Sequence, residues 1–390
     1  MADKKFDVIC FGEDWFSATM GITKQVMKSL NRRGHRVFWI NPIPYRMPKV
    51  GTKAFKKRFI YKLKTHLRFY SRVDKKQIVL CPFYIPYVGR KPIDGINKFL
   101  LNFQIKLLKI LFNMKNPVIW ATGYTVNNIL EQIGKDIFVY NFCDKYSSHR
   151  GISDEVKKKL ELLDQEIVDY ADLNLCSSEK IKEYIETLTE HKERVIYYPH
   201  GVDFDMFTKP SDLSIPDDMR DIKHPIIGYF GTMAGGFDKE VIIYCASKRP
   251  DWSFVLIGSV GGENEELANL DNVYLLGPKP FNEIPRYGYC FDVGLMNWFP
   301  HEWADYCFPI KTLEYLAMGI PVVSMTIEEI NRHYTDVVRV AFTYEEWLQH
   351  IENAIKDNSE EAKQKRVEKV RNMSWENRVD EFLALVEKIK

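Results

Sequence analysis

The sequence lacks the features that mark several common classes of protein. Its seven cysteines include no C-x-x-C pair, which argues against a zinc ribbon or a thioredoxin-like site. No uncharged apolar run reaches the roughly 18 residues that cross a bilayer, and the N-terminal residues show no apolar signal-peptide core. We therefore expect free, mostly buried thiols in a reducing compartment and a cytoplasmic protein.

Two kinds of ligand motif are also missing. The first predicted strand, Phe6–Gly12, leads into the loop 13–18 without a G-x-G-x-x-G fingerprint, so a dinucleotide site has little support. No cluster of histidines or carboxylates has the spacing of a metal site, so we expect neither a metal nor a cofactor. Asp14 in this loop is a candidate substrate contact; the alternative is a turn or cap residue.

Charge divides the chain in two. Residues 1–200 carry 35 Lys and Arg against 21 Asp and Glu, whereas residues 201–390 carry 20 against 32. This asymmetry predicts an anionic partner for the first half alone and argues against a generic nucleic-acid coat protein. Because 45% of the residues are apolar and 14% aromatic, the chain can build a real core.

Short apolar runs alternate with amphipathic helical patterns along the whole chain. Seven strand-like runs fill the first 200 residues, and six more lie beyond residue 225. Continuous apolar strands separated by helices are typical of parallel sheets built from βαβ units. The proline- and aspartate-rich stretch Phe204–His224 predicts a linker. The sequence therefore predicts an α/β protein with two Rossmann-like, doubly wound domains, residues 1–205 and 222–374.

Positive charge is concentrated in one aromatic-rich segment. Residues 46–76 contain 12 Lys and Arg and a single acid, Asp74, interleaved with apolar residues such as Phe55 and Phe59. This pattern suits an anionic membrane surface. Residues 97–115 are a second candidate for that surface, or they belong to the core. A merely solvated basic face and single-stranded nucleic acid are the alternatives, but no nucleic-acid-binding module surrounds the segment.

A carboxylate follows the predicted strand Ile137–Phe142. Asp144 lies just beyond the carboxyl end of this strand, where doubly wound sheets bind their ligands. A carboxylate at this place can act as a general base toward an acceptor hydroxyl. The alternative is a helix N-cap or a turn residue.

Glycines follow the first predicted strand of the second half, where residues 228–238 read G-Y-F-G-T-M-A-G-G-F-D. Glycines between a strand and a helix let backbone amides approach a phosphate. Many βα turns use glycine for steric reasons alone, so this motif leaves both interpretations open.

A second phosphate-binding pattern lies near residue 310. Pro309 marks the start of a predicted helix and Gly319 its end. Lys311 and Glu314 are three residues apart and share one helical face. A cation beside the free amides of a helix start can hold a pyrophosphate, and a carboxylate one turn deeper can accept hydrogen bonds from ribose hydroxyls. The pair predicts a nucleoside diphosphate site; the alternative is an ordinary surface ion pair.

Residues 309–323 read P-x-K-x-x-E-Y-L-A-x-G-x-P-V-V and resemble the nucleotide-sugar signature of GT-B fold glycosyltransferases. The likeness is strongest to the branch that contains teichuronic acid glycosyltransferases and membrane-associated glucuronosyltransferases. Weaker matches follow in order along nearly the whole chain, among them Pro199–Asp203 and Gly228–Gly231. The resemblance implies a GT-B fold, in which two domains face a cleft and the C-terminal helix, residues 375–390, crosses back onto the first domain.

The resemblance also assigns the donor to the second domain. It implies that Lys311 contacts the diphosphate and Glu314 the ribose, with the loop 277–281 near the base. Asp144 falls at the position of the catalytic Asp of the glucuronosyltransferase branch. The donor-binding candidates are Gly231, Thr232, Gly277, Pro278, Lys311, Thr312 and Glu314, with Trp298 and Tyr306 as further pocket candidates.

One departure bears on the mechanism. Retaining members of the fold group carry a second Glu eight positions before the ribose Glu, and here that position is Tyr306, which favours inversion. We therefore predict a metal-independent glycosyltransferase at the inner face of the cell membrane. It would move a sugar from a UDP-sugar to a lipid-linked or polysaccharide acceptor, with Asp144 as base. A non-hydrolysing UDP-sugar epimerase and a non-catalytic membrane-bound scaffold of the same fold are the alternatives.

Overall fold

Two sheets organise the computed structural model, which describes residues 5–16, 21–42, 70–85 and 91–389. The first has the strand order β3-β4-β2-β1-β5-β6-β7-β8 and is parallel except for the antiparallel pair β3–β4. Its strands are Asp7–Phe11 (β1), Arg36–Ile40 (β2), Tyr70–Arg72 (β3), Gln77–Leu80 (β4), Val118–Ala121 (β5), Ile137–Phe142 (β6), Leu173–Cys176 (β7) and Val195–Tyr197 (β8).

The second sheet is parallel throughout and has the order β11-β10-β9-β12-β13-β14. Its strands are Ile226–Phe230 (β9), Ser253–Ile257 (β10), Val273–Gly277 (β11), Val293–Met296 (β12), Val322–Met325 (β13) and Val338–Ala341 (β14). The predicted α/β class with two doubly wound sheets is confirmed.

Helices connect the strands and cover both sheets. Those of the first half are Ile22–Arg32 (α1), Lys91–Leu111 (α2), Asp154–Tyr170 (α3) and Glu179–Glu186 (α4). Those of the second half are Phe204–Thr208 (α5), Lys239–Lys248 (α6), Ile284–Gly288 (α7), Glu302–Tyr306 (α8), Ile310–Ala317 (α9), Glu328–His333 (α10), Tyr344–Lys356 (α11), Glu360–Val370 (α12) and Trp375–Ile389 (α13).

The first sheet is buried on both faces because its strands are apolar at nearly every position. Successive side chains of a strand point to opposite faces, so Ile9 and Phe11 join the core on one side and Val8 and Cys10 the core on the other. The second sheet has one continuous core. None of the seven cysteines is paired in a disulfide.

The predicted linker is packed against the second sheet. Phe207 and Met219, both within the stretch 204–224, are buried in the core of that sheet. The boundary between the predicted domains 1–205 and 222–374 stays a prediction.

The C-terminal helix α13 returns to the first sheet, as predicted. Trp375, Val379, Phe382 and Val386 recur at helical spacing and are buried in the core that also contains Trp120. The ring of Phe382 meets that of Trp120 edge-on, with centroids 4.9 Å apart. The predicted crossing of this helix is confirmed.

The predicted membrane segments have different outcomes. Residues 46–69 of the basic segment lie outside the described residues, and its described end contains the strand β3, which was not predicted from the sequence. Helix α2 belongs to the core through Leu101 and Leu108, which are buried, whereas Phe99 and Ile110 are 69% and 75% exposed. Its membrane role stays a prediction. Among the described helices none is both long and apolar enough to cross a membrane.

Candidate active site

Each sheet reverses its strand order at one place, and these two places face each other. In the first sheet β1 lies between β2 and β5, and in the second β9 lies between β10 and β12. Doubly wound sheets bind ligands outside the carboxyl ends of strands at such switch points. The segments that follow β6, β9 and β12 meet here, and a hydrogen bond between Asp144 and Trp303 crosses the cleft.

Asp144 is held on the first-domain side of this cleft. Its Oδ1 accepts a hydrogen bond from Trp303 Nε1 at 3.2 Å and lies 3.8 Å from Cys307 Sγ. Burial raises the pKa of Asp144, while the positive charge of His149 and the donated hydrogen bonds lower it. Oδ2 receives no hydrogen bond from any described residue. One carboxylate oxygen is thus anchored and the other is open to a hydroxyl.

Helix α8 joins the two halves of the molecule next to Asp144. Lys145 Nζ donates to Tyr306 Oη at 3.1 Å and lies 4.4 Å from the ring centroid of Tyr306. Ser178 Oγ donates to the backbone carbonyl of Tyr306 at 2.7 Å. Tyr306, the residue in place of a second Glu, therefore acts in this structure as a bridge between the two halves.

A second set of contacts bridges the halves through helix α10. The backbone amide of Glu179 donates to Glu329 Oε2 at 3.0 Å, and the hydroxyl of Tyr197 donates to the same carboxylate. Arg332 and Glu183 form an ion pair of 2.6 Å. Burial raises the pKa of Glu329. These polar contacts join the two halves beside the cleft.

Helix α9 presents the predicted phosphate-binding lysine. Lys311 Nζ lies 5.4 Å from the ring centroid of Trp298 and 5.8 Å from that of Tyr229. A Cβ built on Gly231 would overlap Lys311 Cε and lie 3.0 Å from Nζ, so this amine sits directly above the glycine loop. Lys311 has no carboxylate partner among the described residues, which leaves its charge available to an anion.

Free backbone amides were predicted at the start of α9, but two of them already donate hydrogen bonds within the chain. The amide of Ile310 donates to the Phe308 carbonyl at 3.0 Å, and that of Thr312 donates to the Pro309 carbonyl at 2.9 Å. The reason is that Pro309 begins the helix with a tight turn, which closes these bonds locally. An anion bound at this site would therefore depend on Lys311 and the glycine loop more than on the helix amides.

Glu314 lies one turn deeper and is buried. Its residue surface is 7% exposed, and burial raises its pKa to about 7, while the charge of Lys311 lowers it. The carboxylate makes neither an ion pair nor a hydrogen bond with any described residue. The alternative of a surface ion pair is therefore wrong, because Glu314 is inside and its carboxylate lies beyond ion-pair distance of Lys311.

The glycine loop after β9 is held by its backbone. Gly231 and Met233 donate their amides to the carbonyls of Ile257 and Ser259 at 2.8 and 2.9 Å. Gly231 has φ +142°, a conformation that disfavours a side chain. The amide of Thr232 has no acceptor among the described residues, and the residue is exposed. Its N–H can therefore donate to a phosphate beside Lys311.

The remaining donor candidates lie along the same edge of the second sheet. Gly277 ends β11 with φ +68° and accepts the amide of Gly258 at 3.0 Å, while Pro278 beyond it is exposed. Thr312 is fully buried, and its hydroxyl has no hydrogen-bond partner among the residues that the structure describes. Trp298 packs against Trp303 with centroids 5.2 Å apart. The donor-site assignments of these residues stay predictions.

Asp14 stabilises a turn. Its Oδ1 accepts the amide of Phe16 at 3.1 Å and a longer bond from Asn41 Nδ2 at 3.4 Å. The local geometry accounts for the residue as a turn former, and its role as an acceptor contact stays a prediction.

Three residues that join the two halves at the cleft were not predicted from the sequence: Cys307, Lys145 and Glu329. Each makes a contact with a residue 150 or more positions away in the chain. Lys145 could have been suspected from its position next to Asp144. For Cys307 and Glu329 the sequence carries no signal, because both lie in segments typical of an ordinary βα unit.

Comparisons with known proteins agree with this arrangement. Residues 225–357 match the family model described as "Glycosyl transferases group 1". A protein of Bacillus subtilis (strain 168), assigned as the teichuronic acid biosynthesis glycosyltransferase TuaH, is 27% identical over 186 residues. That alignment covers 46% of this chain and 47% of the relative, so it spans about half the length of each.

Solved structures match the whole fold at low identity. The sucrose-phosphate synthase of Thermosynechococcus elongatus superposes with a TM-score of 0.71 and 14% identity over 99% of both chains. Anabaena HepE, solved in complex with UDP and glucose, superposes with a TM-score of 0.68 and 13% identity over 98% of this chain and 100% of its own. At such identities the likeness concerns the fold, and the predicted GT-B fold is confirmed.

Proposed function

We propose that this chain, whose residues 225–357 form a group 1 glycosyl transferase domain, moves a sugar from a UDP-sugar to a hydroxyl of a lipid-linked or polysaccharide acceptor. One observation carries the proposal. Lys311 and the buried Glu314 have no charged or hydrogen-bonding partner among the described residues, and Lys311 lies above the glycine loop at the cleft that Asp144 faces.

The nucleotide would use the second domain. Lys311 and the free amide of Thr232 would bind the diphosphate, and Glu314 would accept hydrogen bonds from the ribose hydroxyls. Anabaena HepE has the same fold and was solved with UDP and glucose, which supports UDP as the nucleotide of this chain.

The transfer step would use the open oxygen of Asp144. The acceptor hydroxyl attacks the anomeric carbon and gives its proton to Asp144 Oδ2, while the bond between that carbon and the diphosphate oxygen breaks. Lys311 stabilises the negative charge that builds on the leaving diphosphate, so a metal ion is not required. Attack from the face opposite the leaving group inverts the anomeric centre.

The acceptor would be presented at the inner face of the cell membrane. Helix α2 supports this part of the proposal, because a row of apolar side chains on one of its sides faces solvent. We call this row the α2 apolar stripe; it consists of Ile96, Phe99, Phe103, Leu107 and Ile110, which are 40–75% exposed. Large exposed apolar patches mark membrane or protein contacts.

The donor is identified by a thermal-shift screen. We expect UDP-sugars to raise the melting temperature and GDP- and dTDP-sugars to leave it unchanged, because a ligand that binds only the native state stabilises it. The stabilising UDP-sugar is then followed by NMR without acceptor. Conversion into another UDP-sugar would indicate an epimerase instead of a transferase.

The base is tested with Asp144→Asn. This variant should bind UDP like the wild type and lose at least 100-fold of its transfer rate, because the amide cannot take the hydroxyl proton. Asp154→Asn, at the exposed start of α3, is the matched control and should keep the wild-type rate. A wild-type rate in Asp144→Asn would remove the residue from the mechanism.

A further inference from the structure

A cavity of about 660 Å³ opens in the cleft beside Trp303. One wall is formed by His149 and Arg150, which follow β6, and the other by Phe299, His301 and Trp303 together with the glycine loop. Lys311 and Glu314 are not among its lining residues, so the cavity is adjacent to the proposed nucleotide site and distinct from it.

Basic side chains line the cavity, and none of its described lining residues is a carboxylate. Arg150 and Lys239 contribute two cations, and His149 and His301 add two imidazoles. Lys239 is paired with Glu266 at 2.7 Å, so its charge is already partly neutralised. Arg150 is exposed and has no carboxylate partner among the described residues; its guanidinium instead lies 5.3 Å from the ring centroid of Phe299. Arg150 is thus the cation that is free to meet a ligand.

Aromatic rings line part of the same cavity and contact further rings outside its lining. The imidazole of His149 stacks on Tyr146 with centroids 5.7 Å apart and lies 5.9 Å from Trp303. Trp303 in turn meets Trp298 at 5.2 Å. Flat apolar faces beside a few polar groups are typical of small-molecule sites, and they match the apolar faces of a sugar ring.

Trp303 links this cavity to both partners of the proposed reaction. Its indole lines the cavity and donates to Asp144, and its neighbour Trp298 lies 5.4 Å from Lys311 Nζ. A sugar ring in the cavity would therefore contact the indole that holds the base and would lie next to the proposed donor site, where an acceptor is needed.

We infer that this cavity is an acceptor subsite for a saccharide that carries an oxyanion, either the carboxylate of a uronate or a phosphate ester, with Arg150 as the group that recognises its charge. The inference rests on the proposed function, because it needs a donor bound beside the cavity. Guanidinium pairs with carboxylate and with phosphate in the same two-pronged geometry, so both sources share this chemistry.

The experiment is titration calorimetry on the full chain. The protein is first saturated with UDP, which fills the nucleotide site, and the sugars are then titrated into this complex. The ligands are glucuronate, glucose 6-phosphate and, as the neutral analogue, glucose. They are titrated into the wild type, into Arg150→Gln and into Arg220→Gln. Arg220 is a surface arginine paired with Asp217 outside the cleft, so it is a matched control.

We expect at least one anionic sugar to bind the wild type and Arg220→Gln at least tenfold more tightly than glucose. Arg150→Gln should lose that preference while binding UDP as before. Preference for glucuronate identifies a uronate, and preference for glucose 6-phosphate identifies a phosphate. Two results would refute the subsite while leaving the proposed function standing, provided that UDP binds. In the first, the wild type binds the anionic sugars no more tightly than glucose. In the second, Arg150→Gln still binds an anionic sugar more tightly than glucose. If UDP itself fails to bind, the proposed function fails, and the subsite with it.

Discussion

Trp303 donates its indole N–H to Asp144 at 3.2 Å, and through this bond a residue of the second half of the chain controls the carboxylate of the first. Burial raises the pKa of Asp144, and this hydrogen bond is among the contacts that lower it. The bond also leaves the second carboxylate oxygen unoccupied by described residues. The charge state of the proposed base therefore depends on burial, on His149 and, across the cleft, on this hydrogen bond.

Trp303→Phe tests this control because it keeps an aromatic ring and removes the donor. Without the hydrogen bond the pKa of Asp144 rises further, and a general base acts only in its ionised form. We expect the acidic limb of the pH profile of kcat/KM to move to higher pH. Trp347→Phe, in the core of the second half, should leave that limb in place. Coincident limbs in Trp303→Phe and the wild type would show that the bond has no such effect.

The pKa of Glu314 predicts a pH dependence of UDP binding. Burial raises this pKa to about 7, so in the free protein much of the carboxyl is protonated below that pH. Ribose hydroxyls donate to the ionised form, so UDP affinity should rise from pH 6 to pH 8, by up to about tenfold. Titration calorimetry across this range checks the rise.

Glu314→Gln is the control for this pH dependence. This variant removes the ionisation of residue 314 and leaves that of the UDP phosphates. Any difference between the wild type and the variant in the dependence of UDP affinity on pH is therefore due to Glu314. Parallel curves would contradict the ribose assignment. The same raised pKa implies that the contribution of Glu314 to folded-state stability declines as the pH rises from about 4.5 to about 7. Over this range the carboxyl ionises in the unfolded chain, whereas the buried carboxyl keeps its proton.

Gly231→Ala should weaken UDP binding, since its methyl group would overlap Lys311 Cε and push the amine away from the phosphates. The φ of +142° adds conformational strain of about 1 kcal/mol. Gly134→Ala provides the control, because Gly134 also has a positive φ but its Cβ would meet nothing within 4 Å. Both variants should lose stability, and only Gly231→Ala should lose UDP affinity. Equal affinities would remove Lys311 from the phosphate contact.

The α2 apolar stripe should bind anionic vesicles. Lys98 and Lys109 on this helix are paired with Glu131 and Asp136, so we expect the exposed rings to supply most of the binding energy. In sedimentation with vesicles of phosphatidylglycerol and phosphatidylcholine, Phe99→Glu combined with Phe103→Glu should reduce binding at least tenfold.

The matched control for the vesicle experiment changes two exposed apolar residues elsewhere. Leu213→Glu combined with Ile215→Glu changes two side chains that are 61% and 56% exposed. Both lie in the segment that connects β8 to β9 along the chain. This variant should bind vesicles like the wild type. Equal loss in both double variants would point to a general effect of charge rather than to the α2 apolar stripe.

The strands could be predicted from the sequence because parallel strands buried on both faces are continuous apolar runs. Every predicted run became a strand, with ends that differ by a residue or two. The strand Tyr70–Arg72 was missed, since two of its three side chains are exposed and it carries no apolar run. Helix α9 was predicted to begin at Pro309 and to end before Gly319; it spans Ile310–Ala317, with Pro309 as its N-cap.

The site could be predicted only where one segment carries the pattern. Lys311 and Glu314 share a helical turn, so their spacing identified them, but the burial of Glu314 depends on the surrounding fold. The contact between Asp144 and Trp303 joins residues 159 positions apart, and no local pattern encodes it. The cavity beside Arg150 likewise exists only once the two sheets face each other.

Titration calorimetry of UDP with Lys311→Ala tests the central claim most directly. Loss of the amine should weaken UDP binding at least tenfold, or about 1.4 kcal/mol, while Lys356→Ala on the surface of α11 binds like the wild type. If Lys311→Ala binds UDP with the wild-type affinity, the lysine does not hold the diphosphate, and the proposed donor site is wrong.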